Sequence, residues 1–202
     1  METSVLQTFS ERSLITEHLR QVPSTMNGTV PNGILANQFW GEANAFADAA
    51  RALISADNSF YAPTYFLLCH ALELALKSYL LANDVPLAEV IKLGHDLTRA
   101  YAKAHQLGMR VPGEHVDVLI DRLSEFHQRM IFRYPVITKD EGRLILRGHL
   151  IRPEEIQELV VSICRIVRTS VFAARLHAAK FGNFPIETWH MGLPEGGPEE
   201  GD

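Results

Sequence analysis

The stretch FYAPTYFLLCHALELALKSYLL, residues 60–81, decides the fold, because it predicts a helix that is apolar on nearly every side. A helix of this kind, expected over residues 63–82, is typical of the centre of a bundle. Three polar residues nevertheless share one of its faces, at the spacing i, i+3 and i+7: His70, Glu73 and Lys77. This face is therefore the first candidate for a polar site.

Helical periodicity also predicts the elements around this stretch. The other long helices are expected over residues 37–54, 96–107, 116–130 and 153–181, with a short helical segment ending at Lys92. Because most connections are short, neighbouring helices should be antiparallel, and the fold class is an all-α, antiparallel up-and-down helical bundle. Two β-branched runs around the KDEG turn predict a small β-hairpin at residues 135–147, packed on the side of the bundle before the last helix.

Length and composition indicate one domain with a core, since the chain has 202 residues of which 47% are hydrophobic. Residues 1–34 are expected to be an N-terminal extension and linker, because residues 22–34 are rich in Pro, Gly, Asn, Ser and Thr. The bundle is expected over residues 35–181. The Pro/Gly-rich, acidic segment 182–202 is expected to be a flexible tail.

Charge and motifs narrow the classes of function. The net charge of −5 does not attract polyanions, so any contact with nucleic acid needs a local basic patch. Cys69 and Cys164 lie in apolar runs without metal-ligand spacing, so buried free thiols, no metal and no cofactor are expected. The N-terminus lacks the pattern of a signal peptide, and no segment has the roughly 20 unbroken apolar residues of a membrane span. The prediction is a cytoplasmic protein without membrane contact.

The polar face of the central helix has two interpretations. Glu73 and Lys77 could form an exposed i, i+4 ion pair, which would contribute only about 0.3–0.5 kcal/mol and signal no function. Alternatively they face a cleft, together with His70 and with Arg133 and Tyr134 from the segment RMIFRYP.

Further along the chain, His95 and Asp96 are expected to cap the start of the next helix, Asp96 as its N-cap, with a role in the cleft as the second interpretation.

The order of these segments carries a family resemblance. The central stretch, then GHDL at residues 94–97 and FRYP at residues 132–135, ahead of a long final helix, resembles the HEPN (higher eukaryotes and prokaryotes nucleotide-binding) superfamily of helical bundles. FWGEANAFADAARALI, residues 39–54, fits the first helix of that family. The resemblance implies a bundle that usually dimerises. It also implies a cleft where many members place an Arg-x(4–6)-His motif that cleaves RNA without metal, the His acting as base and the Arg stabilising charge on the phosphate.

That catalytic motif is degenerate in this chain. The matching arginine is Arg133, and the positions where the histidine should follow are occupied by Thr138, Lys139 and Asp140. His127 is interpreted as a core histidine or, in the alternative, as a cleft base paired with Arg133.

A second candidate for the catalytic base stands closer to the last helix. His149, which follows Arg143 at the motif spacing, could meet the same cleft across the predicted hairpin. Arg143 or Arg147 would then supply positive charge to the phosphate.

Arg165, Arg168 and Arg175 form a basic strip on the last helix, interpreted as a solvated face rather than a track for RNA. The favoured function is a non-catalytic, homodimeric binding module for a nucleotide, RNA or a protein partner, in a prokaryotic defence or toxin–antitoxin context. The alternative is a metal-independent endoribonuclease that uses His127 or His149.

Overall fold

The chain folds into helices throughout the residues that the structure, a computed structural model, describes: 30–56, 61–129 and 151–181. These residues contain no strand and form α1 (Asn32–Ser55), α2 (Tyr61–Ala82), α3 (Leu87–Lys92), α4 (Leu97–Gln106), α5 (Val116–Gln128) and α6 (Pro153–Phe181). The predicted all-helical fold class is confirmed. The hairpin predicted at residues 135–147 lies outside the described residues and stays a prediction.

Helix α2 forms the centre of the bundle. Its leucines Leu68, Leu72, Leu76 and Leu80 are fully buried, and it packs against both α1 and α6. A helix covered on several sides must be apolar on several sides, which explains the composition of the stretch. By length and composition Ala62–Ala82 could also cross a membrane, but 67% of that window is buried inside the protein, so the signal is weak.

Helices α1 and α2 are antiparallel, as their short connection predicts. The hydroxyl of Ser78, late in α2, donates to the carbonyl of Ala36, early in α1 (2.7 Å). The rings of Phe46 and His70, further along α1 and earlier in α2, meet edge to face with centroids 4.6 Å apart.

Helix α1 also crosses α6 in the antiparallel sense. Gly33, near the start of α1, lies against the backbone of Ala174, and the indole of Trp40 donates to the carbonyl of Cys164 (2.9 Å). The sequence predicts a linker at Gly33 and a helix from about residue 37, whereas α1 begins at Asn32. Glycine serves here to let two backbones approach, and a loop interpretation of this residue is wrong.

The connection from α2 to α4 departs from simple up-and-down order. After α2 ends, the chain passes through α3 and returns toward the middle of α2, where the His95 ring hydrogen-bonds to Glu73. Helix α4 then runs in the same general direction as α2, because Leu107 at its end accepts a hydrogen bond from the Tyr79 hydroxyl (3.3 Å). Short loops alone predict antiparallel neighbours, and the intervening turn of helix is the reason that this pair differs.

Candidate functional site

A buried carboxylate, that of Glu73, lies at the centre of a polar cluster inside the bundle. Its Oε1 accepts a hydrogen bond from Lys77 Nζ (2.5 Å), and its Oε2 accepts from His95 Nδ1 (2.9 Å) and from His127 Nε2 (2.6 Å). An ionised carboxylate can only accept, so both imidazoles donate from the named nitrogens. We call Glu73, Lys77, His95 and His127, with the neighbouring His70, the Glu73 cluster.

Three separate parts of the chain supply this cluster. Glu73 and Lys77 lie one turn apart on α2, His127 stands in the last turn of α5, and His95 belongs to the turn between α3 and α4. That turn is held by Gly94, which has a positive φ of 57°, and by Asp96, whose carboxylate caps α4. The backbone around His95 therefore aims its ring at α2.

The cluster holds an ion pair away from water. The side chains of Glu73 and Lys77 are only 5% and 12% exposed. Burial opposes ionisation of Glu73 and is the largest single influence on its pKa, but the hydrogen bonds from His127, His95 and Lys77 together outweigh burial and hold the pKa well below its usual range. The interpretation of Glu73 and Lys77 as an exposed surface pair does not fit this geometry.

His70 lies one turn before Glu73 on α2. Its ring meets Phe46 edge to face and stacks on Phe66 with centroids 5.8 Å apart. One ligand-type atom from each of His70, Glu73 and His127 lies within 4.8 Å of the other two. From the sequence, these histidines are assigned separately and no metal is expected, because no spacing rule connects them.

Asp96 has the structural role predicted for it. Its carboxylate accepts a hydrogen bond from the backbone N–H of Arg99 (2.9 Å), the geometry of an N-cap. The same carboxylate lies 3.5 Å from the hydroxyl of Ser124 on α5, and that hydroxyl accepts from the backbone N–H of Thr98 (3.2 Å). The cap thus also joins α4 to α5.

The two cysteines are buried free thiols, as expected. Burial, reinforced by the negative charge of Glu73, raises the pKa of Cys69 to about 12. Burial, reinforced by Asp48, raises the pKa of Cys164 to about 11. A thiol of this kind is protonated at neutral pH, so neither cysteine is a candidate nucleophile.

A second polar feature lies in the groove that α1 makes with α6. This groove contains a pocket of about 360 Å³, called here the α1–α6 pocket, lined by Trp40, Asn44, Ala47, Asp48, Arg51, Val161, Cys164, Arg165 and Arg168. From the sequence, the arginines of α6 are expected to form a solvated face. Packing brings Trp40 and Arg51 of α1 beside them, which a reading of α6 alone could not detect.

Comparison with models of known protein families shows which family the chain belongs to. The family model of the HEPN domain matches residues 36–171, from early α1 to late α6. The chain belongs to the HEPN family. A search of curated proteins and a search of solved structures each found no match. Membership makes this HEPN chain a nucleotide- or RNA-related module, and the matched residues include the Glu73 cluster and the α1–α6 pocket.

The structure separates the catalytic candidates of the HEPN motif into two groups. His127 matches the interpretation of a core histidine with a satisfied ring nitrogen, since its side chain is 4% exposed and bonds to Glu73. Arg133, Tyr134, Arg143 and His149 lie outside the described residues. Their place in the cleft stays a prediction.

Proposed function

We propose that this HEPN domain is a non-catalytic binding module for a nucleotide or RNA ligand. The observation that carries the proposal is the position of His127, whose Nε2 donates to Glu73 and whose side chain is almost entirely buried. A general base must reach within hydrogen-bonding distance of the proton that it removes. The His127 ring is buried and hydrogen-bonded to Glu73, so it is poorly placed to reach the 2′-hydroxyl of an RNA substrate.

The α1–α6 pocket supports the binding part of the proposal. Three arginines and one aspartate line it, a formal charge of +2 on a chain whose net charge is −5. It is a local basic patch of the kind that an acidic chain needs for contact with nucleic acid. Arginine pairs with phosphate, and Trp40, which lines the same pocket, is an aromatic residue of the kind on which bases stack.

The assembly and the biological setting are part of the same proposal. We expect the domain to act as a homodimer with an isologous two-fold contact, the commonest arrangement of soluble oligomers. A binding module without its own catalysis would act through a partner protein, as in a prokaryotic defence or toxin–antitoxin system. Co-purification with the product of a neighbouring gene would test that setting.

The central experiment measures cleavage and binding of RNA by the same purified protein in EDTA. We expect the wild type, His127→Ala and His149→Ala to leave a mixed RNA substrate equally intact. The wild type should bind labelled RNA, and the double variant Arg165→Ala/Arg168→Ala should bind about tenfold more weakly or worse, because two charge-assisted contacts are lost. Arg129→Ala, which removes an exposed arginine at the C-cap of α5, is the control and should bind like the wild type.

Two results would contradict the proposal. Cleavage by the wild type that His127→Ala or His149→Ala abolishes would instead establish the metal-independent ribonuclease. Equal RNA affinity in the wild type and in the Arg165/Arg168 double variant would remove the α1–α6 pocket as the binding surface.

A further inference from the structure

We propose that the Glu73 cluster is a binding site for a first-row transition-metal dication of the Zn²⁺ type. The ligand atoms of His70, Glu73 and His127 all lie within 4.8 Å of one another, and His95 Nδ1 lies 2.9 Å from the Oε2 atom of Glu73. Imidazole nitrogens and carboxylate oxygens are donors that suit zinc and its neighbours. The cluster thus gathers three such donors, with His95 beside Glu73, in a bundle whose sequence shows no metal-binding motif.

Two of the distances between possible ligands are within about 1 Å of those in a tetrahedral zinc site. Ligands about 2.0–2.2 Å from a zinc ion lie about 3.3–3.6 Å from one another. His95 and His127 are 2.9 and 2.6 Å from Glu73 Oε2, so an ion requires them to move apart by less than about 1 Å. Each coordinating nitrogen must present its lone pair, so the ring hydrogen of His127 Nε2 and that of His95 Nδ1 move to the other nitrogen of the same ring or leave to solvent.

The carboxylate can bind an ion without releasing its lysine. Lys77 contacts Oε1 of Glu73, whereas His95 and His127 contact Oε2. An ion at Oε2 therefore leaves Lys77 in place as an outer partner that orients the ligand, a common arrangement around protein metals.

Most of the proposed ligands lie on helices, and His95 connects the cluster to solvent. His70 and Glu73 share a face of α2 at the spacing i, i+3, and His127 belongs to α5. The side chain of His95 is 34% exposed, so the cluster meets solvent on that side. A bound ion would join α2, α5 and the turn before α4, and the folded state should become more stable in its presence.

The test uses the full chain, freed of metal with EDTA and then dialysed. Isothermal titration with Zn²⁺ should give about one tight site per chain, and a hundredfold excess over Kd should raise the Tm by about 5 °C or more. Co²⁺ should produce the intense visible absorption of a tetrahedral nitrogen and oxygen site. Mg²⁺ at the same concentration should do neither, because it prefers oxygen ligands in octahedral geometry.

Variants assign the response to the cluster. His70→Phe removes one donor and keeps an aromatic ring between Phe46 and Phe66, so we expect a folded protein whose Zn²⁺ affinity falls at least tenfold. His95→Gln changes the ligand nearest the surface and should lower the affinity as well. His105→Gln, an exposed histidine on α4, is the control and should titrate like the wild type.

The outcomes separate a metal site from a metal-free hydrogen-bonded network. If titration of the wild type with Zn²⁺ gives no heat of binding and no change in Tm, the proposal is overturned. The same holds if His70→Phe and His95→Gln both bind Zn²⁺ with the affinity of the wild type. If circular dichroism shows that His70→Phe is unfolded, His95→Gln and the Co²⁺ spectrum decide. None of these measurements depends on RNA, so the result stands apart from that of the binding assay.

Discussion

At the scale of single residues, the buried carboxylate of Glu73 organises the interior. It accepts hydrogen bonds from Lys77, His95 and His127, which come from three parts of the chain. A buried charge is tolerated where it is paired and hydrogen-bonded, and removing one partner leaves the other groups uncompensated. Glu73 therefore stabilises the bundle through groups that would be costly to bury without it.

We predict that Glu73→Ala lowers the free energy of unfolding by about 3–5 kcal/mol, because it leaves the Lys77 ammonium and the His127 ring without their acceptor. Urea unfolding followed by circular dichroism measures this loss in metal-free buffer. The control is Glu125→Ala, which breaks an exposed i, i+4 pair with Arg129 (3.2 Å) and should cost less than about 1 kcal/mol. If both variants unfold at the same urea concentration, the Glu73 cluster contributes no more than a surface pair.

At the scale of helices, the contact of α1 with α6 depends on a glycine. A Cβ atom at Gly33 would fall 2.2 Å from the carbonyl oxygen of Ala174, and backbone atoms cannot rotate away as a side chain can. Gly41, eight residues later in the same helix, has no atom within 4 Å of the equivalent position. One helix thus provides two glycines with opposite roles.

We predict that alanine changes stability in opposite directions at these two positions. Gly33→Ala should destabilise by about 1–3 kcal/mol, because the added methyl group pushes α1 and α6 apart. Gly41→Ala should stabilise by about 0.5–1 kcal/mol, since alanine is the better helix former at an open position. Thermal unfolding of the two variants beside the wild type checks both signs, and a stabilised Gly33→Ala would contradict the close helix contact.

At the scale of the whole molecule, charge and exposed apolar surface are unevenly distributed. The chain is acidic, with a net charge of −5, while the α1–α6 pocket has a formal charge of +2. Among the described residues, Phe172 and Leu176 on α6 are large apolar side chains that are 59% and 54% exposed. They lie one turn apart, so they form a small continuous apolar surface on α6.

We predict that light scattering gives twice the chain mass of 22.6 kDa at micromolar concentration. The double variant Phe172→Glu/Leu176→Glu should shift the mass toward the monomer, because it places charge on that apolar surface. Val118→Glu, at an equally exposed valine on α5, is the control and should leave the mass unchanged. A monomer mass for the wild type over the same concentrations would exclude the homodimer.

The sequence by itself determined the helices and the family. The pattern over residues 63–82 predicted α2 to within two residues, and Asp96 was recognised as a cap, because periodicity and capping depend on neighbours only a turn or two away. The order of the central stretch, GHDL and FRYP ahead of a long last helix indicated HEPN, since each of these segments is local. Gly33 was misread because a glycine within Pro/Gly-rich sequence usually marks a loop.

Only the tertiary structure decided which polar groups meet. Glu73 is 22 residues from His95 and 54 from His127, and Trp40 is 124 residues from the Cys164 carbonyl that its indole contacts. Periodicity tells which face of a helix is buried, but it carries no information about which other face lies against it. Which helix faces contact each other depends on the packing of the whole chain. The Glu73 cluster and the α1–α6 pocket therefore form only when the helices are assembled.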